Sequence, residues 1–279
     1  MHNWLNGQTV ILTGASGGIG RELTKILIKK YGARVIGIGR DENKMRSLQK
    51  ELENAADCFS YRLFDVADKN AWAAFAQELK NDGKNVRLLV NNAGFFPAFM
   101  RVNSMDVETF EKVISINYLA TVYAVNAISP LLSGDKKDQG AIVNISSSAA
   151  LCTVVGTSAY SASKAALKGY TEALSLEEQG KRYVGIVYPG TTATDLFRDD
   201  ENAQNSALDL VAMPAEKMAK KIAKRILKKR RRSIVGWDAK LMNFTAKWMP
   251  VWGLRIICKV MKVSKSKVFS KVFDADRRA

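Results

Sequence analysis

Thr9-Val10-Ile11-Leu12-Thr13-Gly14-Ala15-Ser16-Gly17-Gly18-Ile19-Gly20 is the stretch on which the fold turns. A short apolar run enters a glycine-dense turn. Ile19, Leu23, Ile26 and Leu27 then recur at helical spacing until Gly32 stops the helix. The alternation continues downstream. Arg34–Ile38 reads as a second strand, 41–54 as a charged helix and 58–63 as a third strand, with Trp72, Phe75, Ala76 and Leu79 marking another helix. Val86–Val90 gives a fourth strand and about 106–131 a long helix, followed by a strand at Ala141–Ile145, a helix at 158–178 and a strand at Tyr183–Tyr188. Strands separated by helices need crossovers, and right-handed crossovers build a parallel sheet covered on both faces. The expectation is an α/β, doubly wound parallel sheet of about seven strands, with no repeat or linker inside 5–236.

Ligands of such sheets bind beyond the carboxyl ends of the strands, so the residues just after each strand are the informative ones. After the first strand, Gly14 permits a tight turn, Gly18 lets the backbone approach a pyrophosphate, and Gly20 allows close helix packing; Ser16 and Ile19 share that turn. The helix start adds unpaired N–H groups and a positive dipole end. The second strand ends at Arg40. An acid there bonds ribose hydroxyls, whereas a basic residue suits a 2′-phosphate, to which Arg40 offers a planar pair of donors. Asp41 follows directly and keeps NAD(H) open, but Arg40 favours NADP(H). Asp65-Val66, after the third strand, places a carboxylate near an adenine amino group. Asn91, Ala93 and Gly94, after the fourth, supply amides and small residues where a nicotinamide ribose passes.

Tyr160-Ser161-Ala162-Ser163-Lys164 sets a phenol and an ammonium at i and i+4 on one helical face. Ser147 lies 13 residues before the tyrosine, at the end of the strand Ile142-Val143-Asn144-Ile145. With TGASGGIG at 13–20, NNAG at 91–94, Asn117, and Tyr188-Pro189-Gly190 with Thr194, this order of motifs resembles the short-chain dehydrogenase/reductase family throughout residues 8–236.

The resemblance implies a Rossmann-like fold and a set of roles. Tyr160 is the proton donor to a carbonyl in reduction and the base in the reverse oxidation. Lys164 lowers the tyrosine pKa from its ordinary value near 10 and holds the nicotinamide ribose hydroxyls. Ser147 polarises the substrate oxygen, and Asn117 anchors a proton-relay water. Pro189, Gly190, Thr192 and Thr194 close over the cofactor. Residues 191–213 are then a polar substrate lid. Phe95, Phe96, Phe99, Thr153, Val154 and Val155 are candidates to face the substrate, with Leu196 and Phe197 from the lid. Tyr160 and Lys164 count among the cofactor contacts as well.

The 47% apolar content supports a real core, placed here in a single domain over 1–237. Cys58, Cys152 and Cys258 are far apart and unpaired in spacing, and His2 is the only histidine. Neither a disulfide framework, a metal site nor a histidine base is expected. No export signal or myristoylation site opens the chain, so a cytoplasmic location is expected.

The net charge of +16 is lopsided: from Pro214 onward there are 20 Lys/Arg against 4 Asp/Glu, leaving 23 of each before it. Pro214–Lys229 reads as an amphipathic helix and Ser233–Gly236 as a last strand. Residues 238–279 then form a basic amphipathic C-terminal extension, frayed beyond about 264. Its tryptophans, Trp248 and Trp252, and its one-signed charge suit an anionic inner membrane surface; packing on the body or on a second subunit competes with that reading. No nucleic-acid module is present. The expectation is an NADP(H)-dependent carbonyl reductase or alcohol dehydrogenase, forming a homodimer or homotetramer and acting on a lipophilic ketone (steroid-like, keto-lipid or ketosphinganine-like). The alternative is a catalytically silent cofactor-binding scaffold or sensor.

Overall fold

In the computed structural model, which describes residues 3–133, 140–194, 212–264 and 267–273, the β-branched runs become one seven-stranded sheet. The chain runs β1 (Thr9–Thr13), α1 (Gly18–Tyr31), β2 (Arg34–Gly39), α2 (Glu42–Leu52), β3 (Phe59–Leu63), α3 (Lys69–Asn81) and β4 (Val86–Asn91). Next come α4 (Val107–Ile114), α5 (Ala120–Ile128), β5 (Ala141–Ile145), α6 (Ser158–Glu177) and β6 (Tyr183–Pro189). A short pair, β7 (Thr192–Ala193) and β8 (Met213–Pro214), precedes α7 (Ala215–Leu227) and β9 (Arg232–Val235). The sheet order is β3-β2-β1-β4-β5-β6-β9, all parallel. The order reverses between β1 and β4, which opens a crevice at their carboxyl ends.

Alternation along each strand sends side chains to two cores. Val10, Leu12 and Val90 meet Leu23 and Leu27 of α1 and Met218 and Ile222 of α7. On the other face Ile11, Leu89 and Ile142 meet Trp72, Phe75, Ile116 and Ala124. Local chemistry sets the helix limits. Asp41, Asp68 and Asp106 accept hydrogen bonds from first-turn N–H groups of α2, α3 and α4, and Gly32 ends α1 in the left-handed region at φ 64°.

The expected single helix over 106–131 is broken by a π-turn at Ser115–Leu119. The run 107–131 is long and apolar enough to cross a membrane by length and composition. Here it packs on α3 and α6, with Ala120, Ala124, Val125 and Ile128 buried.

The extension differs from expectation in two ways. It forms two helices, α8 (Trp237–Trp248) and α9 (Trp252–Val263), joined at Met249–Val251. Beyond 264, where fraying was expected, a 3₁₀ turn at Lys267–Phe269 leads into α10 (Ser270–Phe273). Phe269 and Val272 are buried there, because they find apolar partners on the body in Phe96 and Phe99.

Candidate active site

A groove of about 390 Å³ crosses the carboxyl ends of β2, β1, β4, β5 and β6. At its centre the turn after β1 needs glycine for definite reasons. Gly14 and Gly18 have φ of +65° and +45°, and a Cβ on Gly18 would lie 2.8 Å from the Thr194 methyl. A Cβ on Gly20 would lie 2.0 Å from the Gly14 carbonyl oxygen. No side chain caps α1 and no acid occupies its first turn. The turn is therefore a bare cradle of backbone N–H groups at a positive dipole end, which fits a pyrophosphate. Ser16 and Ile19 line it.

One end of the groove carries Arg40, Asp41, Lys44, Phe64, Asp65 and Val66. The Arg40 guanidinium pairs with the Asp65 carboxylate at 3.3 Å, and both side chains are largely exposed, so the pair is weak and easily exchanged. The other oxygen of Asp65 accepts from the Ala67 N–H at 3.0 Å. Lys44, in the first turn of α2, is a second cation that sequence reading missed; it reaches this end of the groove because Asp41 caps the helix by accepting from the Lys44 N–H.

At the other end stand Ser147, Tyr160 and Lys164. Ser147 follows β5, while Tyr160 and Lys164 lie on the first turns of α6. Lys164 Nζ donates to the Ile145 carbonyl at 3.2 Å, and Ser146 Oγ donates to the Lys164 carbonyl at 3.2 Å. The Ser147 hydroxyl lies beside the Tyr160 phenol, close enough to favour its ionised form, and accepts from the Ala149 N–H at 3.2 Å. Burial dominates the titration of both ionisable groups. It pushes the Tyr160 phenol up to about 12, against the smaller opposing effect of Ser147, and pushes Lys164 down to about 8. The expected lowering of the Tyr160 pKa by Lys164 is not what this geometry yields: Nζ lies 5.8 Å from the tyrosine ring centroid and is directed to a backbone carbonyl.

Asn117, turned inward by the π-turn, accepts from the Phe95 N–H at 2.7 Å and donates to the Phe95 carbonyl at 2.8 Å and to Ser163 Oγ at 3.1 Å. It thereby fixes the loop after β4 against α6. A Cβ on Gly94 would lie 3.3 Å from Asn117 Oδ1 and 3.5 Å from Lys164 Nζ. Ala93 and Gly94 line the groove, but Asn91 does not. Asn91 is still within β4, and its side chain enters the sheet interior to donate to Asn144 at 2.8 Å. Asn92 takes the expected place: its amide donates to the Thr13 carbonyl at 3.0 Å, and Thr13 Oγ1 accepts from the Asn92 and Ala93 N–H groups at 2.9 Å.

Pro189, Gly190, Thr192 and Thr194 line the far wall. Asp238 of α8 accepts from the Thr191 N–H and crowds Gly190, tying that wall to the extension.

The substrate-facing candidates are divided. Phe95 lines the groove. Phe96 is buried edge-on against the Tyr160 ring at 5.2 Å, so it supports the tyrosine instead of lining open space. Val155 is half-buried against that cluster, and Thr153 is exposed, away from the groove lining. Leu196 and Phe197, with 195–211 of the lid, lie outside the described residues. Sequence reading missed Phe269 and Val272, which close the same cluster from the C-terminal end; their distance along the chain hid them.

A family model described as short chain dehydrogenase matches residues 8–205. The benzil reductase ((S)-benzoin forming) of Saccharomyces cerevisiae is 30% identical over 199 residues, covering 69% of this chain and 74% of that protein. The 3-dehydrosphinganine reductase of Danio rerio is 28% identical over 261 residues, covering 88% of this chain and 72% of that protein. Among solved structures, an actinorhodin polyketide ketoreductase with NADPH superposes with a TM-score of 0.73 at 25% identity, covering 85% of this chain and 98% of that one. A match of this extent, over the strands that build the groove, makes the chain an oxidoreductase belonging to the short-chain dehydrogenase family.

Proposed function

We propose that the chain is an NADP(H)-dependent carbonyl reductase acting on a lipophilic ketone. The observation that carries the reading is the convergence of Ser147, Tyr160 and Lys164 at the end of a groove that begins at the glycine cradle. Gly14–Gly20 would hold the pyrophosphate, Arg40 and Lys44 a 2′-phosphate, and Lys164 the ribose hydroxyls at the reacting end. The nicotinamide, when bound, supplies or accepts the hydride.

The chain's own part is proton management. With its pKa pushed up to about 12, Tyr160 keeps its proton at neutral pH and holds it beside Ser147, where a carbonyl oxygen needs it. Burial makes the phenolate costly, so the protonated phenol is the form present near pH 7, ready to donate when a carbonyl is reduced. Ser147 offers its hydroxyl to the same oxygen, and Lys164 is a buried cation below about pH 8. A lipophilic substrate is supported by Phe95 in the groove lining and by the apolar cluster beside Tyr160. The reductase activities for which the sphinganine and benzil relatives are named point the same way. Preference for NADP(H) is supported by two cations, Arg40 and Lys44, at one end of the groove, and by the neighbour solved with NADPH.

The test is fluorescence titration of the purified chain with NADPH and NADH, followed by turnover of long-chain and aromatic ketones. Tighter NADPH binding with turnover of such ketones is expected. Cofactor binding without turnover of any carbonyl compound would establish the scaffold alternative, and no cofactor binding would remove both.

A further inference from the structure

Ten of the fourteen large apolar side chains that stand exposed among the described residues lie between 237 and 263. On α8, Trp237, Leu241, Phe244 and Trp248 recur at steps of four, three and four, which sets them in one row. On α9, Trp252, Ile256, Val260 and Val263 form a second row, and Met249 and Val251 carry the surface across the turn between the helices. Lys240, Lys247, Arg255, Lys259 and Lys262 are exposed beside these rows. The Lys247 ammonium lies 5.6 Å from the Trp248 ring and the Arg255 guanidinium 5.3 Å from the Trp252 ring, so cations and indoles occupy one layer.

The only acid of this stretch, Asp238, is withdrawn from it, accepting from the Thr191 N–H at the end of β6. The surface therefore presents a single sign of charge. That decides what fits it. A second copy laid on the same face would bring lysines against lysines with no carboxylate between them. A bilayer containing anionic lipid offers hydrocarbon for the apolar rows, phosphates for the cations and a polar boundary for the indoles.

We propose that α8 and α9 form a docking platform for an anionic membrane, lying in its interface. Each helix has 12 residues, about 18 Å, well short of the ~30 Å needed to span. The platform also orients the enzyme. Met261, on the inner side of α9, packs on the cluster of Phe96, Phe99, Tyr160, Phe269 and Val272. Downstream, the Val272 carbonyl accepts from Arg101 Nε at 2.8 Å, which ties the end of the chain to the body. Docking thus holds the Tyr160 side of the groove next to the lipid, and a ketone dissolved in the bilayer reaches it first. This consequence rests on the lipophilic-ketone reading; the docking itself does not.

Flotation of the full chain with vesicles of phosphatidylcholine and phosphatidylserine, against phosphatidylcholine alone, tests the platform. Binding to the anionic vesicles at low salt is expected, weakening as salt rises. Lys259→Gln with Lys262→Gln lowers partitioning about 25-fold, from roughly fivefold for each charge. Trp248→Ala with Trp252→Ala lowers it while leaving the salt dependence unchanged. Circular dichroism and NADPH titration check that both variants stay folded. Absence of binding at low salt overturns the proposal. So does a stable dimer that the tryptophan variant splits without any change in vesicle binding, since the face then belongs to a second copy. Flotation needs no turnover: a chain that floats but reduces no long-chain ketone sinks the substrate reading alone, and a ketone reductase that does not float sinks the platform alone.

Discussion

Trp72 is fully buried between α3 and the sheet, whereas Trp237, Trp248 and Trp252 are each more than half exposed on α8 and α9. The indole is the same; its surroundings are not. Among the described residues of 8–236 the long helices pack on the sheet or on one another, and carboxylates such as Glu51 and Glu78 stand beside Arg21 and Arg62. Between 237 and 263 apolar rows face outward, and cations lie beside the aromatic rings of Trp248 and Trp252. The sheet domain is closed upon itself by burial, so its stability is internal. The platform keeps its apolar area in reserve, so its exposed rows contribute to association instead of to folding.

Substitutions in the two regions should therefore read out differently. Tyr160→Phe probes the closed region where its burial serves chemistry: ketone reduction should fall by about 10³-fold with NADPH affinity nearly unchanged. Single-turnover rates and cofactor titration would check this, and retention of full activity would exclude Tyr160 as the proton donor. Trp72→Ala should destabilise the fold by ~3–5 kcal/mol in urea unfolding, because the sheet cannot collapse into the space left. Trp252→Ala belongs beside it as the control and should change stability by no more than ~0.5 kcal/mol. Equal losses at the two tryptophans would erase the distinction between the regions.

The exposed edge of the groove should give an intermediate effect. Arg40→Asp removes a charge-assisted contact and adds repulsion, so the NADPH-over-NADH preference should shift towards NADH by roughly 10–100-fold. Equal catalytic efficiency with both cofactors in the unaltered enzyme would contradict the role given to Arg40.

The smallest effect is the pH response. Lys164, lowered to about 8 by burial, keeps its proton below that pH and loses it above, while Tyr160 at about 12 stays protonated. Reduction should be level between pH 6 and 7.5 and decline above pH 8. A profile that is level up to pH 10 would show that the lysine charge is dispensable.

The local chemistry of the site was legible in the chain from the start. Gly14, Gly18 and Gly20 announce a turn that no side chain can occupy, and the i, i+4 step from Tyr160 to Lys164 already places both groups on one helical face. What could not be read was direction. Asn91 and Asn92 are the same residue type in succession, and only the end of β4 decides that the first enters the sheet and the second reaches the cradle. Phe96 is as apolar as Phe95, yet one backs the tyrosine and the other lines the groove.

Periodicity and motif spacing, which depend on neighbours along the chain, determined by themselves the parallel α/β sheet and the cradle, while the grouping of Ser147 with Tyr160 and Lys164 came from the family resemblance of the ordered motifs. The tertiary structure decided the rest, because burial depends on residues far apart in sequence. Crowding around Tyr160 and Lys164 sets their pKa values in opposite directions. Contacts from Met261, Phe269 and Val272 bring a tail that composition alone leaves open to lipid, body or second subunit up to the flank of Tyr160, with its apolar rows turned outward.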